Sequence, residues 1–446
     1  RRVFYVGLLR PNMKISVMGT GYVGLVTGAT LAETGNQVTC LDILEAKIEE
    51  LNQGKSPIFE PGLEELIKQG IRNGSLTGST NIENGILSSD VTFICVGTPS
   101  KKDGSVDLSY IKSAASSIGR ALRHKEREHT VIVKSTVVPL TTEEVVLPIL
   151  IKKSGWKREQ LGMGMNPEFL REGSAIRDAQ KPDRIVMGSA DALSLKVMNS
   201  LYKGKKCPKL ECSPRTAEFI KYASNSFLAT KISFVNEMAN LCNSWGIDFN
   251  EVAEGMGMDS RISPLFLRAG AGFGGSCFPK DVKALVAAAK TAKVESKILK
   301  AALDVNEIQP KVVVRMAKER LGILKGKRIA VLGLAFKPGT DDVRESRSEV
   351  VVKELMDEGA EVVGHDPEAM RNFKEVIDMN TANSIEEAVE KADCVILMTE
   401  WKEYTNMNLK MLKDRMSGNV IIDGRRGFNP EKIEKAGFDY TAIGLG

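Results

Sequence analysis

Lys14-Ile15-Ser16-Val17-Met18-Gly19-Thr20-Gly21-Tyr22-Val23-Gly24 is a short apolar run that stops on three glycines spaced G-x-G-x-x-G. Residues 25–34 then carry helical spacing, and a second apolar run, Gln37–Leu41, ends at Asp42. The glycines alone are a weak signal. Strand, glycine turn, helix and strand in this order predict a dinucleotide-binding βαβ unit. Gly19 would permit the tight turn, Gly21 would admit a pyrophosphate to the backbone, and Gly24 would let helix and strand pack closely. Tyr22 and Val23 complete the turn, so the helix N-terminus faces the phosphates. A carboxylate where Asp42 stands accepts from a ribose 2′-hydroxyl and repels a 2′-phosphate, so NAD is expected rather than NADP.

Outward from this unit, residues 91–96 form an apolar strand ending in Gly97-Thr98-Pro99, and residues 130–133 one ending in Lys134-Ser135-Thr136. Open α/β sheets bind ligands at such carboxyl ends. Pro214–Trp245 reads as one long helix, able to bridge domains or pair with another subunit, and helical patterning continues to about Gly322. A second βα pattern begins at residues 328–334, with strands at 361–364, 395–398 and 420–422. Its first turn, Gly333 to Gly339, lacks the full glycine pattern and carries Lys337, which suits a phosphate but not a second NAD. The fold class expected is α/β, with two Rossmann-like doubly wound parallel-sheet domains joined by a long central helix and a helical region. The divisions fall at 13–212, 213–322 and 323–446; residues 1–12, ahead of a natural start at Met13, read as a non-native extension.

The chain has 446 residues, 42% hydrophobic and 27% charged, which is an ordinary soluble composition with room for two or three domains. A net charge of +5, from interspersed Lys and Glu, points away from nucleic acid and is compatible with anionic small ligands. Seven scattered cysteines without a CxxC pair, and three histidines, indicate neither a metal site nor a disulfide framework. No apolar run has membrane-spanning length or the flanks of a secretion signal, so a cytoplasmic protein with no membrane partner is expected.

Three constellations carry chemistry. Gly274-Gly275-Ser276-Cys277-Phe278-Pro279-Lys280-Asp281 presents a thiol on a glycine loop where a helix begins, near the positive end of its dipole. A buried, inert cysteine behind a glycine turn is the competing reading. Lys221 and Asn225 share a helix face; Phe219, Tyr222 and Phe227 suggest that this helix is well buried, which weakens the reading of Lys221 as a solvated lysine. Asn166-Pro167-Glu168-Phe169-Leu170-Arg171-Glu172-Gly173 reads as a helix start capped by Asn166, with Glu168 and Glu172 on one face. The charged run 341–347 and the pair Arg425-Arg426 are candidate diphosphate or cofactor clamps.

GTGYVG from Gly19, VGTP from Val96, KSTV from Lys134, NPEFLREG from Asn166, FIKYASNSF from Phe219, FGGSCFPKD from Phe273 and AFKPGTDDVRES from Ala335 together resemble the UDP-glucose/GDP-mannose dehydrogenase family. The resemblance covers essentially everything after Met13. It implies oxidation of a nucleotide sugar's C6 alcohol to a carboxylate with two NAD. The GGSCFPKD form is similar to the UDP-glucose branch, which makes UDP-glucuronate for polysaccharide; Ser276 stands where relatives acting on UDP-N-acetylmannosamine tend to have histidine. GDP-mannose or another nucleotide sugar is the alternative.

By the same resemblance Cys277 would carry the substrate as thiohemiacetal and then thioester. Lys221 and Asn225 would stabilise oxyanions, Asp281 would order or deprotonate a water, and Thr136 and Glu168 would stand near that water. Lys221, Asp281 and Glu168 are all open as the first base. Cofactor contacts would come from Gly19, Gly21, Tyr22, Val23, Gly24, Asp42, Lys47, Thr98, Thr136, Glu172, Lys280 and Arg344. Substrate contacts would come from Glu168, Phe169, Leu170, Lys221, Asn225, Phe266, Gly274, Phe336, Lys337 and Arg425 or Arg426, with Arg261 reaching across a homodimer. The first domain would bind NAD, the central region dimerise and the last domain bind the UDP-sugar.

Overall fold

The computed structural model describes residues 12–446; the extension expected at residues 1–12 lies, apart from Asn12, outside them. The chain divides into two compact units between Ala223 and Ser224. The first is built on eight strands: β1 Lys14–Met18, β2 Gln37–Leu41, β3 Leu76–Ser79, β4 Val91–Ile94, β5 His129–Val133, β6 Leu161–Met165, β7 Ile185–Ser189 and β8 Lys209–Cys212. Their order is β3-β2-β1-β4-β5-β6-β7-β8. Neighbours run parallel except β6 and β7, which are antiparallel. β4, β5 and β6 are buried along their whole length. That explains their largely apolar character, since helices cover both faces of a parallel sheet, and buried Thr92 and His129 bond each other.

The second unit carries six parallel strands: β9 Arg328–Leu332, β10 Glu361–His365, β11 Asn380–Thr381, β12 Cys394–Leu397, β13 Val420–Asp423 and β14 Asp439–Ala442. Their order is β11-β10-β9-β12-β13-β14. Each unit thus repeats the doubly wound order in which the winding direction reverses beside its first strand. A ligand crevice opens at the carboxyl ends there, between β1 and β4 in one unit and between β9 and β12 in the other.

The helix Pro214–Trp245 has the bounds read from the sequence. Proline suits its first turn, and Gly246, at φ 65°, follows its end. Its burial differs from expectation. Tyr222 is buried, but Phe219 and Phe227 are 51% and 67% exposed. The aromatics therefore lie on two faces, and Phe219 and Phe227 do not bury Lys221.

Candidate active site

The glycine turn after β1 is shaped by close contact. Gly19 has φ 100°, and a Cβ on it would lie 2.8 Å from the Cys95 carbonyl oxygen; one on Gly24 would lie 1.8 Å from the Gly19 oxygen. These two glycines are demanded by the turn and by helix packing. Gly21 differs, because a Cβ there would meet nothing within 4 Å. It caps the helix Tyr22–Glu33 without a side-chain bond, so backbone N–H groups face open space at the positive end of a helix. A pyrophosphate fits that cradle.

Asp42 accepts from Thr20 N at 2.8 Å and Thr20 Oγ1 at 2.6 Å through one oxygen, and from Leu44 N at 3.1 Å through the other. Burial would raise its pKa, but these bonds and the Lys47 charge hold it below the ordinary value. A fixed carboxylate at the end of β2 suits a ribose diol and opposes a 2′-phosphate. Thr98 is buried beyond β4, and Thr136 is half-buried beyond β5.

In the same unit Lys221 Nζ lies 2.9 Å from Glu168 Oε1, both side chains being buried. Glu168 Oε2 accepts from Leu170 N at 2.6 Å. Burial pushes Glu168 up, but the charge and hydrogen bond of Lys221, with the Leu170 N–H, more than reverse it. Lys221 also stands 5.5 Å from the centroid of Phe169, whose ring is covered by Arg184 at 3.8 Å.

The expected helix start at Asn166 does not form. Asn166 Oδ1 accepts from Lys134 Nζ at 2.8 Å and Tyr202 OH at 2.5 Å, and Nδ2 donates to the Val186 carbonyl at 2.8 Å. A side chain committed in this way cannot cap a following turn. Residues 166–170 carry no regular structure and the next helix is Ala175–Gln180. Glu168 and Glu172 therefore share no helix face; Glu168 turns to Lys221, and half-buried Glu172 belongs to the turn before that helix.

In the second unit Cys277 caps the helix Phe278–Thr291, with Pro279 in the first turn and no side-chain cap bond. Its thiol is half-buried, 3.5 Å from Ser276 Oγ. One turn on, Asp281 Oδ2 accepts from Asn225 Nδ2 at 2.7 Å and Oδ1 from Lys280 Nζ at 2.6 Å. Asn225 and Asp281 are both buried. Lys221 and Asn225 stand on successive turns of one helix.

A cavity of about 220 Å³ in this unit is bounded by Asn236, Phe266, Gly270, Gly274, Phe336 and Arg425 among others. Arg425 is held beside it by donation to the carbonyls of Met398 at 2.6 Å, Gly272 at 3.2 Å and Phe336 at 3.2 Å. Arg426 does not line it; its Nη2 donates to both oxygens of Asp248, at 2.7 and 2.9 Å. Lys337 Nζ lies 5.5 Å from the Phe336 centroid. Arg261 and Arg344 pair locally, with Asp259 and Asp342.

Three acidic residues escaped the sequence reading. Asp366, at the end of β10, accepts from Leu334 N at 2.8 Å and Ala335 N at 3.0 Å. Leu334 follows Gly333 as Thr20 follows Gly19, so the first of these bonds repeats that of Asp42 in the first unit, and the place of Asp366 after β10, matching Asp42 after β2, is a readable signal. Glu60 and Glu218 are also buried, with no motif to mark them. Two of the three histidines are structural: His129 bonds Thr92 and Lys125, and His365 bonds Tyr404. Among the described residues no His, Cys, Asp and Glu cluster could hold a metal, and no helix is long and apolar enough to cross a membrane.

Three domain profiles of one family match in succession: the NAD-binding domain of the UDP-glucose/GDP-mannose dehydrogenase family over residues 13–206, its central domain over 215–308, and its UDP-binding domain over 330–430. The chain belongs to the UDP-glucose/GDP-mannose dehydrogenase family. This dehydrogenase is 43% identical to the UDP-glucose 6-dehydrogenase YwqF of Bacillus subtilis, with 97% of this chain and 98% of that protein covered. It is also 43% identical to the UDP-glucose 6-dehydrogenase AglM of Haloferax volcanii, over 97% of this chain and all of that one. A solved UDP-glucose dehydrogenase from Pyrobaculum islandicum superposes with TM-score 0.92 at 41% identity, covering 99% of this chain and 100% of that one. The family's NAD-binding domain and the fit of the glycine turn agree on the cofactor.

Proposed function

We propose that this chain is an NAD-dependent UDP-glucose 6-dehydrogenase that oxidises the C6 alcohol to the carboxylate of UDP-glucuronate. The observation that carries the reading is Cys277 at a helix N-terminus with the buried Asn225–Asp281 pair one turn away. Relatives named for UDP-glucose favour that substrate over GDP-mannose, and Ser276 before the cysteine argues against UDP-N-acetylmannosamine.

When bound, NAD supplies the hydride acceptor, one molecule for each of the two oxidations. The Cys277 sulfur adds to the C6 aldehyde, forming an S–C6 bond and a thiohemiacetal; loss of hydride and the hydroxyl proton leaves a thioester. Water then adds at C6, the S–C6 bond breaks, and the thiol returns as the carboxylate forms. Asp281, fixed by Asn225 and Lys280, orders that water and takes its proton. Lys221 and Asn225 offer positive charge and an N–H donor to the oxygen on C6, an effect typically worth about 3 kcal/mol per donor. Glu168 pairs with Lys221 at 2.9 Å and fixes its position, and Thr136 completes the water-side set. The nucleotide diphosphate is assigned to the cavity beside Arg425, with Phe336, Phe266 and Gly274 as its walls and Lys337 next to Phe336.

The three divisions at 13–212, 213–322 and 323–446 are taken as NAD-binding, dimerising and UDP-sugar-binding regions. Phe227, Phe234 and Leu241 are exposed at seven-residue intervals along the long helix, with Trp245 one turn further. This is the stripe of a helix that packs on another, and a second copy of the chain is its proposed partner, toward which exposed Arg261 would extend.

NADH release from a panel of nucleotide sugars tests the reading. Two NADH per sugar acid with UDP-glucose, and far less with GDP-mannose, is the expected outcome; one NADH per substrate, or a preference for GDP-mannose, would refute it.

A further inference from the structure

Glu60 lies in the loop between the helices Glu45–Asn52 and Leu63–Arg72, before Pro61 and a left-handed Gly62. It is buried, and its carboxylate gathers three donors from two distant stretches of the chain. Oε2 accepts from the Tyr22 hydroxyl and from Gly173 N at 2.7 Å; Oε1 accepts from Ala175 N at 2.7 Å. Tyr22 is the first residue of the helix that opens on the glycine turn. Gly173 and Ala175 flank Ser174, whose side chain accepts no N–H of the helix Ala175–Gln180 that it caps; its Oγ donates to Asp178 Oδ2 at 3.4 Å instead.

Glu60 thus supplies from outside what Ser174 does not. It takes the orphan N–H of Ala175 at the helix start and that of Gly173 just before the cap, and sets a negative charge against the positive end of the dipole. The same carboxylate fixes the Tyr22 ring. Burial, with the bond and charge of Glu60 and the charge of Glu172, raises the Tyr22 pKa and keeps the phenol a donor. One anion therefore ties the phosphate turn to the turn that carries Glu172.

We infer that Glu60 is a positioning residue of the cofactor cleft, which holds the Gly19–Gly24 turn and the 172–175 turn in register for NAD without touching the cofactor. The inference rests on the assignment of this turn to NAD. A carboxylate required only for folding would affect both ligands alike. One that sets this register acts on NAD affinity and leaves the sugar nucleotide's alone.

The test measures NAD and UDP-glucose affinities by titration, and kcat and KM for each, in the wild type, Glu60→Gln, Tyr22→Phe and the double variant, with circular dichroism and melting to check the fold. Glu60→Gln is expected to weaken NAD about tenfold or more and to leave UDP-glucose affinity within about twofold. Tyr22→Phe should give a smaller loss, and the double variant should lose less than the product of the two, because both changes remove one shared bond. If Glu60→Gln does not fold, Tyr22→Phe decides by the same split between the two ligands. Wild-type NAD affinity in the variants, or equal losses for NAD and UDP-glucose, would overturn the inference. A wild type that binds no NAD would instead refute the cofactor assignment beneath it.

Discussion

Lys221 Nζ stands 2.9 Å from Glu168 Oε1, and the two side chains are 3% and 6% exposed. Neither charge is reachable by bulk water, so each depends on the other. Removing one partner of such a pair leaves a buried charge and costs about 3–5 kcal/mol. Lys221→Met is expected to lose that much in urea unfolding, and Lys221→Met/Glu168→Gln to lose less than the two single changes summed. Additive losses would show that the pair is not coupled. The pair also sets an acid limit. Glu168 is held below its ordinary value of 4.5; its contribution is present above that pH and is lost as pH falls through the depressed value.

Cys277→Ala should abolish steady-state acid formation, lowering kcat by about 10³-fold or more while NAD still binds. NADH production in stopped flow, with acid product assayed separately, checks this. Wild-type turnover of Cys277→Ala would return the thiol to the status of an inert loop residue.

Asp281→Asn keeps the shape of the group that holds Asn225 and Lys280 but removes its basicity. If Asp281 prepares the hydrolytic water, kcat should fall about 10²–10⁴-fold, and a thioester on Cys277 should accumulate, visible as added mass in denatured protein after mixing with NAD and UDP-glucose. A slow variant with no covalent adduct would place Asp281 in an earlier step.

Gly21→Ala should fold as the wild type does, since its methyl would meet no protein atom within 4 Å. It should bind NAD much more weakly, by about tenfold or more, because the methyl enters the space reserved for the pyrophosphate. Gly24→Ala is the contrast, with its methyl driven to 1.8 Å from the Gly19 oxygen; there the melting temperature itself should fall. Unchanged NAD affinity in Gly21→Ala would remove the pyrophosphate from this turn.

Glu218 accepts Thr142 N at 2.7 Å, and burial pushes its carboxyl up to about 7 against that hydrogen bond. Between its ordinary value of 4.5 and 7 the folded chain binds a proton that the unfolded chain has released. Stability from the neutral carboxyl is therefore full below pH 4.5 and lost as pH rises through 7. Glu218→Gln cannot ionise, so its stability relative to the wild type should improve between about pH 5 and 8, by up to about 3 kcal/mol. Melting curves across that range would show a constant offset if Glu218 does not titrate.

Much of this molecule can be read along the chain because its signals are local. The G-x-G-x-x-G turn, the strands on either side of it, the bounds of Pro214–Trp245 and the cysteine at a helix start depend on residues within a turn or two of each other. Backbone sterics and hydrophobic period decide them there. Local reading failed where a side chain had a distant rival for its hydrogen bonds. Asn166 looks like a cap, but Lys134, Tyr202 and Val186 claim it first. Phe219 and Phe227 look like core, yet they lie on exposed faces of the helix.

The linear sequence by itself determined the α/β class, two doubly wound sheets, the NAD turn and the thiol at a helix start. Tertiary structure alone decided that Arg425 and not Arg426 lines the cavity, that Asp366 bonds the second Rossmann turn, and that Glu60 joins Tyr22 to residues 173–175. Each of these rests on hydrogen bonds between groups 27 or more positions apart in the chain. Folding sets those distances, and adjacency in sequence does not.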